Sequence, residues 1–188
     1  MSKIFILQSK NDLSKKSKNG IAFLLSGTII WLIITIIFLQ LISIETKNIF
    51  TFFSTGLMFP LSIGISKLIK SEWRSPDNPL SDLGLVLNLA QLMYFPLIFW
   101  AFAKSPEQMI TFFAVITGAH FFPYGWFYNT KAYYIMAPIL SISMMLISTL
   151  LDSHNLWVIP LSMVLLFLIL ITWLYIDFKK GDERYKNK

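Results

Sequence analysis

No cysteine occurs anywhere in the chain. Disulfides, thiolate metal sites and a cysteine nucleophile are therefore excluded. Charge is also scarce: 14% of the 188 residues carry it, against roughly 25% in ordinary soluble domains. Asp and Glu number ten, and none falls near the middle of an apolar run. A carboxylate proton relay and paired-carboxylate hydrolysis therefore lack their parts. Histidine occurs twice, as His120 and His154, in segments too far apart to share a metal ion. No glycine-rich loop is present to cradle a phosphate. The sequence calls for no cofactor and offers no catalytic set.

Apolar residues, by contrast, make up 55% of the chain. One soluble core of this length cannot bury so much apolar surface, whereas a bilayer solvates it. Six segments are long enough to cross about 30 Å of hydrocarbon at 1.5 Å per residue. They are Gly20 to Ile44, Asn48 to Ser66, Asp82 to Ala103, Gln108 to about Phe127, Ala132 to Leu151, and Leu156 to Phe178. The predicted fold is all-α: a polytopic membrane protein with a basic cytoplasmic tail over 1–19, a six-helix transmembrane domain over 20–178, and a second basic tail over 179–188. The first nineteen residues do not read as a cleavable signal peptide, because "IFIL" precedes the charges of "KNDLSKKSKNG".

The formal charge of +6 does not point to nucleic acid. Its basic residues sit in the tails and one loop that flank apolar runs. Of the 16 lysines and arginines, only Lys47 and Lys104 fall on the side of the membrane opposite the tails. Cytoplasmic loops retain Lys and Arg, so both termini are expected in the cytoplasm of a cell membrane. Trp100 and Trp157 lie at the outer boundary of this topology, and Trp73, Trp126 and Trp173 at or near the inner one. Trp31 is mid-span and requires a packing partner.

Each of spans two to six contains one proline: Pro60, Pro96, Pro123, Pro138 and Pro160. A helix-interior proline removes a hydrogen bond and kinks the helix. These prolines read either as shape-setting kinks or as devices that open a cavity. Two hairpin entries are alike, "KNIFTFF" and "EQMITFF", each followed by Thr-Gly and Phe-Pro. That pattern fits an internal repeat and fits coincidence in a phenylalanine-rich chain.

The polar residues converge by depth. Asn88 lies about 9 Å and Gln91 about 13 Å above the cytoplasmic end of span three, and His120 roughly 10 Å from the same surface on span four. Asn88 and Gln91 share a helix face. Thr117, His120, Tyr124 and Tyr128 form a stripe on the next span, and Tyr94 lies near the first pair. Polar groups facing lipid are costly, so these residues are expected to turn inward. Two readings stand side by side. In one, Asn88, Gln91 and His120 bond one another as interhelical glue. In the other, Asn88, Gln91, Tyr94, Thr117, His120, Tyr124 and Tyr128 line a ligand-binding pocket open to the cytoplasm.

The runs "NLAQLMYFPLIFWAF", "TGAHFFPYGWFYNTKAYYIMAP" and "TFFSTGLMFPL" resemble an uncharacterised family of small six-span bacterial membrane proteins, best represented in Gram-positive organisms. The resemblance spans the membrane region and leaves out the tails. It implies a location and an architecture and transfers no catalytic residue.

The leading expectation is a pocket that binds or translocates a small uncharged or lipid-like molecule. Membrane lipids are the expected partners, together with such a ligand and a second copy of the chain. The alternatives are a structural or regulatory subunit without a ligand, and an intramembrane enzyme using His120, which lacks an acid to orient it. The topology has a direct test. A reporter active only in the cytoplasm is expected to work fused after Lys188 or inserted near Pro76, and to be silent inserted at Asn155. Activity at Asn155 with silence at the C-terminus would invert the orientation.

Overall fold

The computed structural model describes residues 2–186, with side chains to residue 180. Of the tail expected over 179–188, residues 187 and 188 and the side chains from 181 onward lie outside the described residues. All regular structure among the described residues is helical. The helices are α1 (Lys3–Lys16), α2 (Ile21–Phe38), α3 (Ile44–Thr55), α4 (Met58–Leu68), α5 (Ser81–Ala90), α6 (Phe95–Lys104), α7 (Pro106–Ala119), α8 (Phe122–Phe127), α9 (Lys131–Thr149) and α10 (Val158–Lys186). A 3₁₀ turn, Gln91–Tyr94, joins α5 to α6.

Five segments are long and apolar enough to cross a membrane: Lys18–Phe38, Ser81–Lys104, Pro106–Phe127, Lys131–Thr149 and Val158–Lys180. The expectation of six clear crossings needs correction. The second segment is two short helices, α3 and α4, bent by 45°. The first span also stops at Phe38 rather than Ile44. Gln40 Nε2 donates to the Ile36 carbonyl (2.9 Å) and Lys47 Nζ to the Phe38 carbonyl (2.9 Å), which satisfies the last turn of α2.

The prolines explain the broken helices. Pro60 is the third residue of α4, Pro96 the second of α6, Pro123 the second of α8 and Pro160 the third of α10. There the missing N–H costs nothing and the fixed φ suits a helix start. Only Pro138 lies in a helix interior. Pro60, Pro96 and Pro123 cannot donate to the carbonyls four residues back, at Gly56, Leu92 and Ala119. The chain tightens at those places instead. Gly56 and Leu57 donate to Phe53 and Ser54 (both 3.1 Å), and Phe121 donates to Gly118 (3.3 Å).

The core is built from α2, α7, α9 and α10. Trp31 and Ile34, Met109 and Ala114, Leu140 and Met144, and Met163 and Leu170 are all buried. Trp31 finds its packing partner in Phe113, with ring centroids 5.2 Å apart. Glycines set the helix spacing. A Cβ on Gly27 would lie 2.8 Å from the Phe167 ring, and one on Gly118 would lie 2.9 Å from the backbone nitrogen of Ser141. The α5–α6 span is peripheral: 11% of its most apolar stretch is buried, against 56% for the span of α2. Helix α5 buries no residue, and the 3₁₀ turn that continues it is its one extended contact.

Residues 3–16, read from the sequence as part of a tail, form α1. Ser9, Lys10 and Leu13 on it are buried. Asn78 Nδ2 donates to the Ser9 carbonyl and to Asp12 Oδ2 (2.9 Å each), and Asn129 Nδ2 donates to Asn11 Oδ1 (3.1 Å). Lys10 Nζ sits 4.1 Å from the centre of the Trp126 ring. Between α1 and α2 the backbone reverses through Lys18, Asn19 and Gly20, all with positive φ. Asn19 is buried and ties three elements together. It bonds to Ser14 Oγ, donates to the Leu174 carbonyl (3.2 Å), and accepts at its own carbonyl from Tyr133 Oη (2.8 Å).

The glycine contacts give a paired prediction. Gly118→Ala forces α7 away from the α9 backbone and is expected to destabilise the protein by about 1–3 kcal/mol. Gly64→Ala meets nothing within 4 Å and is expected to be neutral or to stabilise by about 0.4–1 kcal/mol. Thermal unfolding of the purified variants distinguishes the two, and equal midpoints would contradict the packing described.

Candidate functional site

Three helix breaks meet at one place. Thr55 and Gly56 at the α3–α4 bend, Gln91 and Leu92 at the 3₁₀ turn, and His120 and Phe121 between α7 and α8 all line a cavity of about 290 Å³. Phe23, Gly27, Trp31 and Phe167 close its remaining walls. Two more cavities adjoin it. One, about 230 Å³, extends past Gly84 and Leu85 to Trp73, Arg74 and Ser75 in the loop before α5. The other, about 30 Å³, lies between His120 and the tyrosines Tyr124, Tyr128 and Tyr133. Asn88 and Phe23 line all three. The mouth at the loop is closed in part by Leu13 and Ser17 from the α1 end of the chain.

The polar side chains are placed by short local bonds. Gln91 Nε2 lies 3.2 Å from Thr117 Oγ1 and bridges the 3₁₀ turn to α7. His120 Nδ1 lies 2.7 Å from the Thr117 carbonyl, one turn back. Asn88 Nδ2 donates to the Gly84 carbonyl of its own helix (3.0 Å). Asn88, Gln91 and His120 therefore line one space without bonding one another. Below them the tyrosines stack. Tyr124 and Tyr128, and Tyr128 and Tyr133, have centroids 6.0 Å apart in each pair. The His120 ring meets Phe121 at 4.3 Å and Tyr124 edge-on at 5.7 Å. Tyr124 Oη is buried and has no hydrogen-bond partner.

Of the residues singled out from sequence, Asn88, Gln91, Thr117 and His120 share the largest cavity, and Tyr124 and Tyr128 line the small one. Tyr94 is not brought in: it is 53% exposed and lines none of the three. The inward face of this segment is Asn88, Gln91, Leu92 and Phe95, the i, i+3, i+4, i+7 set, and Tyr94 falls on its flank. Sequence reasoning missed Phe23, Gly27, Thr55 and Phe59. The run "TFFSTGLMFP" held part of the signal, in its Thr-Gly pair ahead of Phe-Pro. Nothing polar marks Phe23 or Gly27.

The lining of the largest cavity is uncharged apart from the ionisable ring of His120. No acidic group lines the largest cavity, and among the described residues no cluster of three metal-ligating side chains exists. Arg74 at the mouth is paired with Asp82 at 2.9 Å.

No curated protein and no solved structure matches the chain. A family model does, over residues 6–177, which takes in most of α1 as well as the region carrying the sequence motifs. The three breaks and the cavity they enclose fall within that match, and the chain belongs to the family of unknown function DUF7010.

Proposed function

We propose that the chain is a multi-pass protein of the cell membrane, with both termini in the cytoplasm and six crossings when α3 and α4 count as one. Its large cavity binds or passes a small uncharged or lipid-like molecule. The observation that carries this reading is a polar set, Asn88, Gln91, Thr117 and His120, within an otherwise aromatic and aliphatic cavity. Ligand sites have this makeup: apolar walls with a few convergent polar groups. Entry from the lipid is favoured by α5, which leans on the bundle at points rather than along its length. Its apolar outer face suits lipid tails or a second copy of the chain.

Native mass spectrometry of protein taken gently from its own membrane tests the reading. A retained small molecule is expected. Thr55→Trp, which fills the large cavity from the α3–α4 bend, is expected to expel it while the helical signal stays. Equal retention by the variant, or no retained molecule from native membrane, would overturn the proposal.

The interhelical-glue reading has one bond in its favour, Gln91 to Thr117. Gln91→Leu and Thr117→Val are each expected to lower stability by about 0.6 kcal/mol, the average for such bonds in membranes, and the double variant by less than the sum. Cysteine pairs test the geometry without native cysteines to interfere. Asn88 and His120 line the same cavity of about 30 Å³, so cysteines replacing them are expected to link through short reagents. A pair at Val86 and His120, with Val86 on the exposed face of α5, is expected not to link.

A further inference from the structure

We propose that the molecule held in the large cavity presents an uncharged hydroxyl group, and that His120 Nε2 accepts its proton in a hydrogen bond. This rests on the binding reading above and specifies the chemical class of the ligand.

Two carbonyl oxygens, of Thr117 and Gly84, orient the polar side chains of the cavity. A carbonyl only accepts hydrogen bonds. His120 Nδ1 lies 2.7 Å from the Thr117 carbonyl, so Nδ1 carries a proton. In an uncharged imidazole the second nitrogen is then bare and is an acceptor. Asn88 is oriented in the same way. Its amide nitrogen is spent on the Gly84 carbonyl, which leaves Oδ1 as the free end. Neither His120 Nε2 nor Asn88 Oδ1 has a protein partner among the described residues, and neither is among the fully enclosed unpaired atoms. Both are open to the space that their side chains line.

The leftover capacity is therefore biased toward accepting. A ketone, ester or ether brings only acceptors and leaves Nε2 unpaired, which is costly in a buried site. A cation would satisfy the acceptors, but no carboxylate lines the cavity to balance it. A hydroxyl fits best. It donates once and accepts twice, so it serves Nε2 and still meets a donor. The Thr117 hydroxyl, which accepts from Gln91 Nε2 and so keeps its own hydrogen, lines the same large cavity as His120 and is such a donor. The apolar walls of Trp31, Phe113 and Phe167 take the hydrocarbon portion. The ligand class is thus a long-chain or isoprenoid alcohol, or a lipid whose head is a free hydroxyl.

The chain contains two histidines, which makes the test selective. Protein labelled with ¹⁵N-histidine, carrying His154→Gln and held in lipid nanodiscs, reports one imidazole. The unliganded ring is expected to show a protonated Nδ1 and a bare Nε2. Adding 1-decanol is expected to move the Nε2 resonance toward its hydrogen-bonded position and to raise the thermal midpoint. Its methyl ether is expected to bind roughly tenfold or more weaker, the scale of leaving one buried acceptor unpaired. His120→Phe keeps an aromatic ring against Phe121 and Tyr124, and is expected to bind alcohol and ether alike. Equal binding of alcohol and ether to the unsubstituted ring, with Nε2 unmoved, would overturn the hydroxyl proposal and leave the binding reading standing. Failure of both probes to move the resonance or the midpoint would overturn both. Tighter binding of decylamine than of decanol would replace the hydroxyl class by a cation.

Discussion

Proline cannot donate a backbone hydrogen bond, and the interior of this protein is organised around three places where that matters. Pro60, Pro96 and Pro123 each begin a new helical segment, and in each case the preceding turn contracts or bends. A continuous helix presents an even wall of side chains. A helix that restarts one or two residues before a proline leaves an indentation. Three such indentations face one another, and the largest cavity is their common space. The histidine set among apolar residues beside Pro-Tyr-Gly is explained by the same constraint. It stands at the C-terminal end of α7, where the helix stops and the ring folds back onto the carbonyl of Thr117.

The glycines play the complementary part. Gly27, Gly118 and Gly125 sit where an aromatic ring or a neighbouring backbone comes closer than a Cβ would allow. The bundle is therefore tight along α2, α7, α9 and α10, and the largest of the three cavities lies where the breaks converge. In the membrane setting proposed above, where hydrophobic attraction between helices is missing, close approach of this kind is a main source of cohesion. The sparse packing of α5 stands out against it.

Much of this was legible in the sequence. Apolar runs bounded by charge gave five of the spans to within a few residues at most of their ends, because chain length and hydrocarbon thickness leave little freedom. Depth counting brought Asn88, Gln91 and His120 to one level, since helical rise is constant. What could not be read was rotation and interruption. Proximity in sequence sets Tyr94 beside Asn88 and Gln91, whereas facing depends on a helical rotation of about 100° per residue, which leaves Tyr94 on the flank. The α3–α4 bend was hidden because Gly56 and Pro60 lie within an unbroken apolar stretch, and hydropathy carries no information about backbone direction. The helix α1 was hidden for the opposite reason. Its composition is that of a solvated tail, and its order comes from Asn78, Asn129 and Trp126, which are distant in sequence.

That last arrangement bears on how the molecule is assembled during synthesis. Helix α1 is translated ahead of the tertiary contacts that fasten it among the described residues. The carbonyl of Lys16 receives the amide of Glu72, and Lys18 Nζ reaches the carbonyl of Ile69. Asn78 follows, and then Trp126 and Asn129. A nascent chain shorter than about 130 residues therefore has its N-terminal helix without its full set of anchors. Leu13 and Ser17 form part of the wall near the loop, so that wall depends on the same later anchors.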